Sequence, residues 1–313
     1  MIANRELISI VVAVYNSSKF IEETLNSIYT QKYKNIELII CDDCSIDNSV
    51  EIINSWLENI DINRFFKINL IIQNKNLGLT KNINLGIKSA QGEWIKCLGG
   101  DDILMIDCLE ILFRYAKKDS CDILFGQIKN FYTDKRGEKK FYEVDSSKKI
   151  QQKFMLSKES FFKELIQECF LPAPAAFFSK KVWIELDGFD ERYKMVEDWP
   201  FWLKAVQKNK KISFVDKVVV LYREHEDSIT SKKLTSIDSI IGNQARLDMI
   251  NFSYDFRRHY ILNPFEKWEI INLYYSQKIS KINLIPIRRV CYLLFRATSP
   301  VYIKNLLKQK IQP

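Results

Sequence analysis

Two glycines and two adjacent carboxylates follow an apolar run that is typical of a buried strand. Residues 95–107 read Ile-Lys-Cys-Leu-Gly-Gly-Asp-Asp-Ile-Leu-Met-Ile-Asp, with Asp101 and Asp102 as the acidic pair. Neighbouring carboxylates repel each other and lose hydration at a strand end, which is costly unless a cation compensates. The glycines permit a sharp turn and the close approach of a ligand. Hard oxygen ligands at an open site suit Mg²⁺ or Mn²⁺ carrying a phosphorylated substrate, and a solvated turn with an acidic helix cap is the alternative.

Three more polar groups follow other predicted strands. One holds Tyr15 and Asn16, the next holds Asp42 and Asp43, and the third is a glycine-containing turn that includes Lys81. These side chains suit a nucleotide diphosphate with its metal ion, because Tyr15 can stack on a base and Asp43 can accept from an imino N–H of uracil or thymine. The glycine patterns of dinucleotide-binding and kinase-type phosphate sites do not follow the first strand.

Short apolar runs that alternate with helical periodicity must position these residues. Strands alternating with helices predict a parallel sheet, and ligands of such sheets bind at the carboxyl ends of the strands. The stretch 133–153 is polar and lysine-rich, which predicts a loop or an edge excursion, and the chain after residue 226 is predicted to be helical only. The predicted strands are Leu7–Val14, Glu37–Cys41, Asn69–Gln73, Trp94–Leu98 and Ile123–Gly126, with helices near 20–28, 50–57, 81–90 and 109–115.

Composition limits the class of protein. The 313 residues are 47% hydrophobic, which is enough for a substantial core. Seven cysteines, scattered and odd in number, are typical of a reduced cytosolic chain, and the isolated C-x-x-C of Cys41 and Cys44 favours packing over zinc binding. No apolar run approaches the roughly 20 residues that a membrane span requires, and no long apolar signal stretch precedes the first strand.

The order of the motifs resembles that of the family 2 glycosyltransferases, which are inverting nucleotide-sugar enzymes with a GT-A domain. The resemblance implies an α/β fold: a Rossmann-like, mostly parallel sheet flanked by helices over residues 1–225, with a C-terminal helical extension over 226–313. A nucleotidyltransferase is disfavoured, because no glycine-rich, lysine-ended loop lies near the N-terminus. Seven stretches between residues 7 and 225 carry the resemblance: 9–16, 37–49, 76–86, 92–102, 188–191, 197–199 and 222–225.

The resemblance also implies a donor site. Ala13, Tyr15 and Asp43 match positions that hold a uracil-type base, and Gly100 belongs to the same nucleotide-sugar site. Asp101 matches the acid that binds Mn²⁺ or Mg²⁺ on the sugar diphosphate.

The catalytic and acceptor roles are implied in the same way. Asp198 matches the general base that deprotonates the acceptor hydroxyl, and Glu197 and Trp199 flank it on the acceptor side. His225 matches a position that can reach the metal ion or the diphosphate. A histidine bonded to a neighbour in a closing strand is the alternative for His225.

This sequence departs from the family pattern at three positions. Ala13 replaces a proline, which is expected to cost little, and Ile83 replaces an arginine, so Lys81 is expected to supply the charge toward the diphosphate. Gly99 replaces the outer acid of an Asp-x-Asp motif. Metal binding is expected to survive on Asp101, with Asp102 capping the next helix, and the sugar preference stays open.

The basic residues are concentrated in the tail. Residues 256–313 contain 11 Lys and Arg against two acids, whereas the whole chain carries +8. Ile287, Val290, Cys291 and Leu294 have helical spacing beside arginines, as in a helix that lies on an anionic membrane surface. A packed helical subdomain or a homodimer contact is the alternative, and no motif for nucleic-acid recognition is present.

Together these features predict a cytoplasmic enzyme at the inner face of the membrane. It would transfer a hexose from a UDP-sugar, with inversion, to a polyprenyl-diphosphate-linked glycan in O-antigen or capsule assembly. A dTDP-sugar (rhamnosyl) transferase and a transferase with a protein acceptor are alternatives within this class. A catalytically inactive homologue that acts as a binding partner in an assembly complex is the alternative from another class.

Overall fold

A computed structural model of the protein describes residues 6–142, 147–225, 244–261 and 263–280. The chain divides into two compact units, the first of Met1–Leu165 with Cys169–Lys232 and the second of Ile166–Glu168 with Lys233–Pro313. The predicted division into 1–225 and 226–313 stays a prediction.

The first half of the sheet is parallel. Its spatial order is β3-β2-β1-β4, and every neighbouring pair among these four strands is parallel. β1 and β2 are buried along their whole length, as expected for β-branched runs covered on both faces. The elements in chain order are β1 (Ile8–Val14), α1 (Ile21–Tyr29), β2 (Ile36–Asp42), α2 (Ser49–Asn59), β3 (Lys67–Ile72), α3 (Leu79–Ser89) and β4 (Trp94–Gly99).

Helices cover both faces of this parallel half. Even-numbered residues of β1 and β2, such as Ile10 and Leu38, join one buried core with α1, α2 and the later helix α4 (Cys108–Asp119). α3 packs on the opposite face, where a Cβ on Gly86 would lie 2.5 Å from the Val11 side chain. Removing this apolar surface from water is the main stabilising contribution to the layered arrangement.

The second half of the sheet is mixed. β8 (Ala176–Ser179) runs antiparallel to β4 and to β6 (Ile123–Thr133), and β9 (Ile212–Arg223) is parallel to β6. The short β5 (Ile103–Leu104) pairs with β9, and β7 (Lys139–Phe141) pairs with β6. The α/β class is confirmed. The stretch 133–153, predicted to be a loop or an edge excursion, contains the last residue of β6 and all of β7.

The remaining helices of the described residues fall into two groups. Besides three 3-10 turns (Ile62–Arg64, Ala173–Ala175 and Arg257–His259), the chain forms α5 (Ser147–Phe154), α6 (Lys158–Gln167), α7 (Lys180–Glu185) and α8 (Asp198–Gln207), then α9 (Gln244–Asp255) and α10 (Pro264–Ser280). In the second unit the rings of Tyr254 and Tyr274 stack 3.6 Å apart. Within the described ranges, every helix is too short or too polar to cross a bilayer. The predicted membrane-binding segment near 287–311 lies outside these residues.

Candidate functional site

Neighbouring strand ends bring three of the predicted donor-site residues together. Ala13 of β1 pairs with Cys41 of β2 on one side and with Gly99 of β4 on the other. The Gly100 amide donates to the Ala13 carbonyl oxygen at 2.9 Å, and the Asp43 amide donates to the Val14 carbonyl oxygen at 2.8 Å. The main chain alone therefore fixes Ala13, Asp43 and Gly100 at one carboxyl edge.

Asp43 has a structural task that the sequence did not reveal. It is 4% exposed, and its two carboxylate oxygens accept from the amides of Leu77 (2.7 Å) and Gly78 (2.9 Å). Burial raises the pKa of Asp43, and the two amide donors oppose that shift. These bonds hold the turn before α3, where Gly78 has a φ of +88° that few other residues adopt. Each carboxylate oxygen retains a lone pair for a ligand.

Tyr15 stands at the rim of this edge. Its side chain is 49% exposed, directly after β1. The next residues are held to the loop after β2, because the Asn16 amide donates to the Ser45 hydroxyl at 2.9 Å and the Ser18 amide donates to Asp47 at 3.0 Å. The rim is therefore ordered, and Tyr15 keeps an open aromatic face.

Lys81 lies in the first turn of α3 and faces the turn at residues 187–191. Its ammonium group is 3.8 Å from the Glu191 carboxylate, and both side chains are more than two-fifths exposed. The Asn84 amide group donates to Glu191 at 3.1 Å and to the Phe189 carbonyl oxygen at 2.9 Å. α3 thereby holds this turn, and the role of Lys81 toward a diphosphate stays a prediction.

Asp101 and Asp102 have different surroundings. Asp101 is about a third exposed, and its Oδ2 lies 3.0 Å from His225 Nε2. Asp102 is 2% exposed and accepts from the Arg223 amide at 3.0 Å. Burial, together with the neighbouring charge of Asp101, raises the pKa of Asp102 well above its ordinary value. Asp101 is the accessible acid of the pair.

The expectation that Asp102 caps the next helix is wrong. The chain continues into β5, and α4 begins only at Cys108. β5 pairs with β9 through Ile103 and Leu221, so the end of β9 lies beside Asp102. The buried carboxyl group therefore finds its donor in another strand, which local sequence rules for helix caps do not reveal.

Asp101 and His225 fit a divalent cation as two accessible ligands. A carboxylate oxygen and an imidazole nitrogen suit Mn²⁺, whereas Mg²⁺ prefers oxygen ligands alone. Gly99 leaves room at the carboxylate, because a Cβ there would lie 2.7 Å from Asp101 Oδ1. Over the described ranges, no group of three or more His, Cys, Asp or Glu side chains converges as a metal site. Oxygens of a substrate and of water would complete the coordination of such an ion.

A second acidic pair stands at the start of α8. Asp198 Oδ1 accepts from the Trp199 amide at 2.7 Å, and the Cys169 thiol sulfur lies 3.8 Å from Oδ2. Burial raises the pKa of Asp198, and burial with the charge of Asp198 raises the pKa of Glu197 to about 8. Trp199 is 5% exposed and donates to the Leu165 carbonyl oxygen at 2.6 Å, which is a packing arrangement.

Sequence reasoning gave no role to Arg223, although it lies in one of the quoted stretches. The side chain is 3% exposed, its Nε donates to the Asp101 carbonyl oxygen at 2.8 Å, and its guanidinium pairs with Glu23. An arginine two positions before a candidate ligand histidine was the only signal in the sequence.

A cleft of about 370 Å³ lies between α3, the 187–191 turn and α8. Its walls include Asn84, Glu191 and Phe201. Most of its lining residues are polar or charged, whereas small-molecule sites are mostly apolar, so no role is assigned to this cleft.

Comparison with known sequences gives a consistent result. The sequence model described as Glycosyl transferase family 2 matches residues 9–186. Glycosyltransferase GlyG of Streptococcus pneumoniae is 33% identical over 137 residues, which is 44% of this chain and 43% of GlyG. An uncharacterised glycosyltransferase of Rickettsia conorii is 30% identical over 74% of this chain and 36% of its own length. This chain therefore spans less than half the length of both relatives.

Solved structures share the fold. Staphylococcus aureus TarS 1-349 in complex with UDP-GlcNAc matches with a TM-score of 0.59 and 21% identity, over 94% of this chain and 82% of TarS. The mannosyltransferase PcManGT of Pyrobaculum calidifontis, in complex with GDP-Man and Mn²⁺, matches with a TM-score of 0.57 and 15% identity, over 98% and 80% of the two chains.

Proposed function

The chain belongs to glycosyl transferase family 2, and we propose that it transfers a hexose from a UDP-sugar to a hydroxyl group of a lipid-linked glycan, with inversion. The observation that carries this proposal is the carboxyl edge of the parallel strands. Asp43 and Gly100 are fixed there by the main chain, and Asp101 and His225 face each other at 3.0 Å.

The donor would lie across this edge. Tyr15 offers an exposed ring for the base, and Asp43 offers a carboxylate oxygen to an imino N–H, a donor that uracil and thymine carry and that adenine and cytosine lack. Asp101 and His225 would hold Mn²⁺, which supplies neutralising charge for the departing diphosphate when bound. Lys81 would add positive charge at the start of α3.

Asp198 would act as the base. The raised pKa of its carboxyl group makes it a better proton acceptor than an ordinary aspartate. The acceptor oxygen forms a bond to the anomeric carbon, the bond to the diphosphate oxygen breaks, and the acceptor proton passes to Asp198. Attack opposite the leaving group inverts the anomeric centre. Glu197 would stay protonated beside an ionised Asp198, since its pKa is raised to about 8.

The acceptor and the cellular setting are proposed from the sequence. The family resemblance and the basic tail support a polyprenyl-diphosphate-linked glycan of O-antigen or capsule type, made at the cytoplasmic face of the membrane. A dTDP-sugar donor or a protein acceptor would use the same edge. Deletion of residues 284–313 should weaken binding to anionic liposomes, and unchanged partition would remove the membrane contact.

A nucleotide-sugar panel tests the proposal. Thermal shift with UDP-, dTDP- and GDP-sugars, with and without Mn²⁺, should show the largest stabilisation for one UDP-sugar with metal. Release of UDP should then depend on Asp198, so Asp198→Asn should abolish it. Asp187→Asn is the matched control, since Asp187 is 93% exposed. If no nucleotide sugar binds or is hydrolysed, the chain is an inactive homologue.

A further inference from the structure

Arg223 lies at the centre of a buried network next to the candidate metal ligands. Its backbone amide donates to the Asp102 carboxylate at 3.0 Å, and its Nε donates to the Asp101 carbonyl oxygen at 2.8 Å. Its other guanidinium nitrogens donate to Thr133 Oγ1 at 3.2 Å and to the Glu23 carboxylate. One residue therefore joins β9, β6, α1 and the loop after β4.

Aromatic rings fix the plane of this guanidinium. It lies 4.7 Å from the Phe20 ring centre and 4.6 Å from the Phe131 ring centre, a cation–π arrangement on both rings. Phe20 also contacts the His225 ring, with 4.7 Å between ring centres. The Phe20 ring thus contacts both Arg223 and the candidate metal ligand His225.

The Arg223 guanidinium pairs directly with the carboxylate of Glu23. A buried guanidinium without an anion would be strongly unfavourable, and removing one partner of a buried pair costs more than the pair contributes. Glu23 supplies that anion, and Glu23 also pairs with Lys139 at 2.5 Å near the surface. Glu23 therefore holds the guanidinium in the orientation that reaches the Asp101 carbonyl oxygen.

We propose that Arg223 is a positioning residue for the metal site, and that Glu23 orients Arg223. The guanidinium fixes the main chain of Asp101, and the Arg223 backbone fixes Asp102 and the exit of β9 toward His225. Asp101 and His225 are thereby held close enough to share one cation. This inference rests on the proposed function, which assigns those two residues to Mn²⁺.

Direct Mn²⁺ binding tests this inference without a turnover assay. Mn²⁺ is titrated into the full chain in the presence of UDP, and electron paramagnetic resonance measures the free Mn²⁺ at each step. Outer residues that orient metal ligands typically change metal affinity about 10- to 100-fold when they are replaced. Arg223→Lys keeps the charge but loses the planar set of donors, so it should weaken Mn²⁺ binding by that factor. Glu23→Gln should weaken it less.

Controls separate positioning from general destabilisation. Glu22→Gln changes the neighbouring acid of α1, which is exposed, and should bind Mn²⁺ like the wild type. Melting temperature and metal-free UDP binding are measured for every variant. Normal Mn²⁺ affinity in Arg223→Lys and Glu23→Gln would overturn the inference, even if both melt earlier. If Arg223→Lys does not fold, Glu23→Gln decides by the same criterion. A wild type that binds no Mn²⁺ with UDP would overturn the proposed metal dependence and this inference together.

Discussion

Two of the adjacent acid pairs in the first unit, Asp101-Asp102 and Glu197-Asp198, have different contacts. Asp101 and Asp102 contact a histidine ring and an arginine backbone at the ends of β4 and β9. Glu197 and Asp198 stand at the start of α8, where the contacts of Asp198 are the Trp199 amide and the Cys169 thiol. Two similar short sequences thus occupy electrostatically different places.

The difference assigns different chemistry to the two pairs. An accessible carboxylate that faces an imidazole suits a cation, because both groups can turn toward the same ion. A carboxylate whose pKa is raised by burial, as that of Asp198 is, keeps protons more strongly, so it suits proton transfer near neutral pH. In the proposed mechanism Asp101 binds the metal ion and Asp198 accepts the proton. Asp102 and Glu197 lie beside them and shape their electrostatic surroundings.

Replacing Asp198 or Asp101 should give the largest effects and should separate proton transfer from metal binding. Asp198→Asn should lower the turnover number about 10²- to 10⁴-fold, the usual contribution of a general base, with normal Mn²⁺-dependent UDP binding. Asp101→Asn should also lower turnover, and it should weaken that UDP binding at least about 10-fold. Calorimetry of UDP binding with and without Mn²⁺ distinguishes them. Equal loss of UDP binding in both variants would refute the separation of roles.

Asp102 should matter for stability more than its neighbour does. Asp102→Ala removes the acceptor of the buried Arg223 amide and should lower the free energy of unfolding by about 1–3 kcal/mol. Asp102→Asn keeps an acceptor oxygen of the same shape and should cost less. Urea denaturation of the two variants measures this. A charged role for Asp102 is indicated instead if the asparagine variant is the less stable one.

Glu197 should make stability depend on pH. Its folded pKa of about 8 exceeds the ordinary 4.5, so between these values the folded state keeps a proton that the unfolded state has lost. The free energy of unfolding therefore falls as pH rises from about 4.5 to 8, by at most about 1.36 kcal/mol per pH unit. Glu197→Gln should lack this fall. The free energy of unfolding of this variant, relative to that of the wild type, should therefore increase from pH 5 to pH 8.

Melting curves at pH 5, 6, 7 and 8 check this dependence. Glu22→Gln is the control, because Glu22 is exposed on α1 and should leave the pH profile unchanged. Parallel profiles of wild type and Glu197→Gln would show that Glu197 is ionised throughout.

Cys169 should have the smallest effect. Its thiol is 3.8 Å from Asp198, and burial with the charge of Asp198 raises the pKa of the thiol well above its ordinary value. Cys169→Ala should lower turnover about 2- to 5-fold, in line with a weak hydrogen bond of roughly 0.5–1 kcal/mol. Steady-state kinetics of UDP release measures this. A loss as large as that of Asp198→Asn would make Cys169 part of the base.

The parallel half of the sheet was predictable, because its signals are local. The run Leu7–Val14 predicted β1 to within one residue, and the periodicity of residues 50–57 predicted a helix that proved to be Ser49–Asn59. The order of the motifs predicted the family, which the match over residues 9–186 confirms. The helix cap assigned to Asp102 was wrong, since its donor comes from Arg223, 121 positions along the chain.

By itself, the sequence determined the alternation of strands and helices, the family, and the acids that end β4 and begin α8. Burial patterns and turn residues act over a few positions, so they are readable along the chain. Only the tertiary structure decided that Asp101 is more accessible than Asp102, that Asp43 holds a turn, and that Arg223 joins β9 to Asp101. Those outcomes depend on desolvation and on donors from distant strands, and both exist only once the chain has folded.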